Sequence, residues 1–133
     1  MKIQVLAAAM NQSDLTFHWQ FGGGTPYSRG EDSLFIADLL KNRLKVYTYP
    51  AVIATVDQTK STWFKGYTEK YFYDKGALFS AFPYRCGRLL CTALLLKNRK
   101  SMFNSFAELK NGFCAAMKGY KHFRDKLPPT ASK

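Results

Sequence analysis

Phe103, Phe106, Leu109, Phe113, Ala116, Tyr120 and Phe123 recur three or four positions apart. That spacing sets them on one stripe of an α-helix and predicts a helix over residues 102 to 124. Residues 62 to 82 carry Trp63, Tyr67, Tyr71, Leu78 and Phe82 at helical spacing, and Pro83 ends that pattern. Residues 84 to 99 predict a further helix between the two.

The first part of the chain reads differently. Residues 2 to 10 suggest a short helix. "TFHWQF", 16 to 21, alternates and is rich in aromatics, which predicts a strand. "GGGTPYSRG" is a loop by its glycines and proline. A helix follows over 31 to 42, with Leu34, Phe35, Leu39 and Leu40 as its buried face. "LKVYTY", 44 to 49, predicts a strand that stops at Pro50, and 51 to 56 continues extended. "DQTKST" is a polar loop with Ser61 or Thr62 as N-cap. The expected fold class is therefore α/β (α+β for the isolated chain), with two or three short strands followed by a helical tail. The expected divisions are 1–83, a basic amphipathic tail over 84–124, and disorder over 125–133. So small a sheet is marginal unless helices or a partner cover it.

With 47% hydrophobic residues in 133, the chain can bury the core of one modest domain. Its net charge of +11 is uneven. Residues 1–83 carry nine bases and seven acids, whereas residues 84–133 carry eleven bases and two acids. Any anionic partner is therefore expected at the C-terminal segment. Three cysteines, Cys86, Cys91 and Cys114, give neither a disulfide framework nor a CxxC zinc pattern. "MKIQVLAAAM" runs into polar "NQSD" where a signal-peptide cleavage site would fall. The longest apolar run, "LLCTALLL", is far shorter than the roughly 20 residues needed to span a bilayer.

Two adjacent acids, Glu31 and Asp32, open the helix at 31. Acids in a first turn satisfy unpaired N–H groups and the helix dipole, an effect of about 0.3–1 kcal/mol each. The wider string "FGGGTPYSRGEDSLFIADLLKNRLKVYTYP", continued by "ATVDQTKSTWFKGYTEKYFYDKGALFSAF", resembles the second half of the catalytic domain of family 2 glycosyltransferases, which have the GT-A fold. The resemblance covers roughly residues 15 to 82, and more loosely 84 to 124. It is closest to the enzymes that build bacterial surface polysaccharides. It implies transfer of a sugar from a nucleotide-sugar donor to a glycan or lipid-linked acceptor. Asp32 would be the general base that takes the acceptor hydroxyl proton, with Glu31 positioning the acceptor or bonding the loop. Gly22, Gly23 and Gly24 would let backbone pass close to a sugar, with Trp63 also on the acceptor side. Lys60, Ser61 and Thr62 would meet a diphosphate near a helix start. Processive relatives carry Gln-x-x-Arg-Trp in the corresponding region. Gln58 and Trp63 stand one residue too far apart for that pattern, and no arginine precedes the tryptophan.

Such enzymes need a nucleotide-binding half with an Asp-x-Asp element on a divalent metal, Mn or Mg. The 133 residues contain no Asp-x-Asp, so the metal ligands are largely absent and no residue here is assigned to a metal. The chain is expected to need an N-terminal donor-binding half or a second subunit, and to be inactive alone. The expected location is cytoplasmic, peripheral to the inner face of the membrane. Arg85, Arg88, Lys97, Arg99 and Lys100 flank the apolar run as cations facing anionic lipid would. Two rivals remain. One is a non-catalytic partner subunit that binds a cognate enzyme or the membrane. The other, nucleic-acid binding, is disfavoured because the aromatics of 103–123 follow one helical stripe, as core residues do.

Overall fold

The computed structural model describes residues 3–4, 15–48, 66–83 and 86–126. Among them are five helices: α1 (Glu31–Lys41), α2 (Glu69–Ala81), α3 (Gly87–Lys97), α4 (Arg99–Met102) and α5 (Phe106–Lys126). Two extended pieces, β1 (Ile3–Gln4) and β2 (Tyr47–Thr48), pair antiparallel, with Ile3 opposite Thr48 and Gln4 opposite Tyr47. Two residues per strand do not make a sheet layer. The expected α/β class is thus overturned: the described fold is helical.

The expected strand at 16–21 fails because its backbone groups are used in a turn. Phe21 N–H donates to His18 O at 3.0 Å, Tyr27 N–H to Gln20 O at 3.1 Å and Gly22 N–H to Tyr27 O at 2.9 Å. Its aromatic side chains pack locally. Phe17 stacks on Phe35 with centroids 4.4 Å apart, and Phe21 lies 4.9 Å from Tyr27. Ile3 and Gln4 are extended where a helix was expected, and the rest of 2–10 lies outside the described residues. After α1, Arg43 takes a φ of 60°, and the N–H groups of Arg43 and Leu44 donate to Leu40 O and Leu39 O, each at 3.0 Å. This double closure is a Schellman stop, which turns the chain away from the helix axis. Of the described part of the expected strand, 44–48, Tyr47 and Thr48 pair; Tyr49, 51–56 and the Ser61 or Thr62 cap lie outside the described residues.

The observed caps explain the later helix starts. Thr68 Oγ1 accepts from Tyr71 N–H at 3.2 Å, so α2 begins at Glu69. Ser105 Oγ accepts from Glu108 N–H at 3.2 Å, and Glu108 Oε2 reaches back to Asn104 N–H at 2.8 Å. This is a capping box displaced by one residue. The Asn98 side chain donates to Leu94 O at 2.9 Å and separates α3 from α4. Asp125 and Lys126, expected to be disordered, are the last residues of α5, and 127–133 lie outside the described residues.

The core lies on both sides of α2. One side gathers Phe21, Tyr27, Leu34, Ala77, Leu78 and Phe123; the other gathers Phe72, Cys91, Leu95, Ala115 and Ala116. The buried face of α5 is Gly112, Ala115, Ala116, Gly119, Tyr120 and Phe123: Ala116, Tyr120 and Phe123 lie on the expected stripe, whereas Gly112, Ala115 and Gly119 do not. Phe106 is 81% exposed, and Phe113 is exposed too. The reason is close approach. A Cβ on Gly76 would stand 1.8 Å from Ala116 O, and one on Gly119 would stand 2.0 Å from Tyr73 O. The two helices touch backbone to backbone, and a face of small residues makes that possible.

Gly→Ala in a helix interior normally gains up to about 1 kcal/mol of propensity. At Gly76 and Gly119 the added methyl meets a carbonyl that can move only if the helices part, and overpacking of that kind costs about 1–3 kcal/mol or more. Gly76→Ala and Gly119→Ala are each expected to be net destabilised in urea titrations. A more stable variant would show that α2 and α5 do not meet in this way.

Candidate functional site

The residues around the start of α1 form the site. Gly30 is the N-cap, with a φ of 110° and no side-chain cap bond, so the first turn relies on Glu31 and Asp32 for negative charge. The left-handed φ admits glycine readily, and a Cβ there would stand 2.5 Å from Leu78 Cδ1. Gly30 therefore lets the mouth of α1 sit directly on α2. Asp32 is exposed, whereas Glu31 is half-buried. The Glu31 carboxyl lies 3.4 Å from where a Cβ on Gly22 would be. The glycine loop and the acid pair therefore form one surface. Gly23 and Gly24 are exposed, and nothing lies within 4 Å of a Cβ built on Gly24.

The loop is fixed from inside and from below. The Thr25 hydroxyl stands 2.9 Å from the carbonyl oxygens of Gln20, Gly22 and Tyr27, and it donates to one of them at a time. Asp74 on α2, only 5% exposed, accepts from Ser28 Oγ at 2.6 Å and Ser28 N–H at 3.2 Å. Lys70 Nζ donates to both Asp74 oxygens at 2.9 Å and to Pro26 O at 3.2 Å. Burial of the carboxylate is thus met by a cation and two further donors.

Beside this pin, Tyr71 is flanked by two cations. Arg29 Cζ and Lys75 Nζ each lie 5.8 Å from its ring centroid. Burial pushes the Lys75 amine below its ordinary range and neighbouring Arg29 adds to this, while Cys91 opposes it. Burial raises the Tyr71 phenol, Tyr67 adds to the rise and Arg29 opposes it. Cys91 is fully buried, and burial pushes its thiol up to about 11.

Of the expected site residues, buried Gly22 meets Glu31, Gly23 and Gly24 follow it in the exposed loop, and Asp32 adjoins Glu31 in the first turn of α1, while Lys60, Ser61, Thr62 and Trp63 lie outside the described residues. The sequence reading missed Ser28, Arg29, Lys70, Tyr71, Asp74 and Lys75. The four from α2 were open to one signal, the i to i+4 pair of Lys70 and Asp74 on a helix face. Among the described residues no three His, Cys, Asp or Glu side chains gather in a way that could hold a metal ion. The Mn or Mg was expected in the complete enzyme, on ligands mostly absent from this chain, and these residues are not assigned to it.

Asp74→Ala removes hydrogen bonds to a charged group, each worth about 1.5–3 kcal/mol. The variant is expected to lose about that much stability in total, and hydrogen exchange is expected to quicken at Ser28 and its loop neighbours before α5 loosens. Unchanged protection of that loop would remove Asp74 as its anchor. No protein-family model, no curated protein and no solved structure matches this chain.

Proposed function

We propose that the chain is the acceptor side of an inverting sugar transferase of the family 2 type, with Asp32 as its general base. One observation carries the reading: an exposed carboxylate in the first turn of α1, next to Glu31, whose carboxyl meets Gly22 of a loop held by Thr25 and Asp74. The support lies in this helix start and not in a sheet. In the proposed step the acceptor hydroxyl oxygen bonds to the anomeric carbon of the donor as the nucleoside diphosphate leaves. The hydroxyl proton passes to Asp32. Glu31, against Gly22, stiffens the loop over which the acceptor lies. The nucleotide-sugar donor belongs to a separate donor-binding half or subunit.

A second observation favours a membrane partner for the same protein. The face of α3 turned away from the core carries Leu89 at 73% and Leu96 at 55% exposure, with Leu90 at 41% beside them. Lys97, Arg99 and Lys100 follow them in the chain, Arg88 precedes them with its guanidinium 5.4 Å from the Tyr120 ring centroid, and residues 86–107 contain no acid. Among the described residues no helix is long and apolar enough to cross a membrane. The geometry suits a peripheral seat on an anionic leaflet, with leucines at the acyl boundary and cations at the headgroups. A lipid-linked acceptor would be met there, at the inner face of the membrane.

Each part has a test. In the transferase completed by its donor-binding half, assayed with uridine- and guanosine-diphosphate sugars, Asp32→Asn is expected to lower turnover by about 10²-fold or more. Its circular dichroism should not change, and Glu31→Gln should be milder. Near-wild-type turnover in Asp32→Asn would end the assignment.

For the membrane, cosedimentation with anionic liposomes should weaken as salt rises, because the Debye length falls from about 10 Å at 0.1 M to about 3 Å at 1 M. Changing Arg88, Lys97, Arg99 and Lys100 to glutamine should remove most of the binding. Salt-independent binding, or none, would refute the electrostatic seat. Preference for single-stranded RNA over these liposomes would favour the nucleic-acid reading instead.

A further inference from the structure

A groove of about 430 Å³ opens between the start of α2, the first half of α5, and Met102 and Phe103 at the end of α4. That volume falls within the range of small-ligand sites. Its floor is aromatic. Phe72 stacks on Phe103 with centroids 4.9 Å apart and planes 19° apart, and Tyr67 lies 6.4 Å from Phe72 at 22°. Gly112 fixes this floor: a Cβ there would stand 2.6 Å from the Phe103 ring, so only glycine lets the ring lie flat against α5. Above the floor stand Glu69, Glu108, Asn111 and Lys118. The Asn104 N–H holds the Glu108 carboxylate at 2.8 Å.

The charge of this rim runs against the rest of the chain. Twenty bases face nine acids in the whole sequence, yet the groove holds two acids and one base. An anionic ligand would meet repulsion here and has better surfaces elsewhere on the protein. A purely apolar ligand would strand four polar side chains. The groove suits a ligand with one flat apolar face and many hydroxyls that both donate and accept. We infer that this groove is a binding subsite for a neutral or amino-substituted oligosaccharide, whose sugar ring packs on Tyr67 while its hydroxyls bond Glu69, Glu108, Asn111 and Lys118.

The inference rests on the sugar-transfer reading for its purpose. Tyr67 meets Tyr71 edge to face at 5.3 Å, and Arg29, one glycine before the acid pair, covers the Tyr71 ring. Contacts thus run from the groove through Tyr71 to Arg29. On this reading the groove and Asp32 serve one acceptor.

The test is an array of neutral, amino-substituted and acidic oligosaccharides probed with the full chain, followed by calorimetry on the ligands it retains. Neutral or amino-substituted oligosaccharides should be retained over acidic ones. Tyr67→Ala and Glu69→Gln, both at exposed positions, should each weaken binding about tenfold or more, while Lys41→Gln, at an exposed position outside the groove, should leave it unchanged. In the completed transferase, the groove variants should raise KM for the acceptor with kcat nearly unaltered. Preference for acidic glycans, no retention of any glycan, or binding indifferent to both groove variants would overturn the subsite. The two assignments fail separately. Full turnover in Asp32→Asn with intact groove binding removes only the base. Turnover that depends on Asp32 with KM unmoved by the groove variants removes only the groove.

Discussion

The backbone contact between α2 and α5 is the constraint on which the other features rest. With a Cβ forbidden at Gly76 by Ala116 O and at Gly119 by Tyr73 O, the two helices come as near as helices can. Dispersion falls off steeply with separation, so many weak atom contacts along this seam act together. The seam fixes α2 in the middle of the molecule. From there, one of its sides receives the loop and α1, and the other receives α3.

That central position lets α2 act as a platform for the candidate site. Leu78 supports Gly30, Asp74 holds Ser28, Lys70 reaches Pro26, and Tyr71 lies beneath Arg29. Three successive turns of one helix thus set the loop that carries the acids. The geometry at Asp32 is inherited from packing some distance away. A side chain held through a rigid helix is placed more accurately than one held by a loop alone, which any proton transfer requires.

Some of this was legible in the sequence. The start of α1 followed from acids after a glycine, and its buried face from Leu34, Phe35 and Leu39, though Leu40, expected on that face too, is exposed. The capping pair Ser105 and Glu108 also stands in plain spacing. The buried face of α5 was half legible: Ala116, Tyr120 and Phe123 lay on the expected stripe, but apolar periodicity gives weight to large residues, and Phe106 and Phe113 drew it away from Gly112, Ala115 and Gly119. The Asp74–Ser28 bond joins residues 46 apart, and no local pattern announces such a pair. The expected strands failed for a different reason. Alternation in "TFHWQF" reports which side chains pack, but the turn closed by Gln20, Gly22 and Tyr27 had already used the backbone groups a sheet would need.

Cys91 gives the helical core a built-in gauge. Its thiol is fully enclosed where α3 meets α2, and burial holds it in the protonated form, which is a poor nucleophile. Cys86 and Cys114 are exposed and open to reagents from the start. The chain therefore carries two fast thiols and one slow one. The lag before the third reacts measures how often α3 lifts from the body of the protein, a breathing motion that neither thermal melting nor circular dichroism isolates.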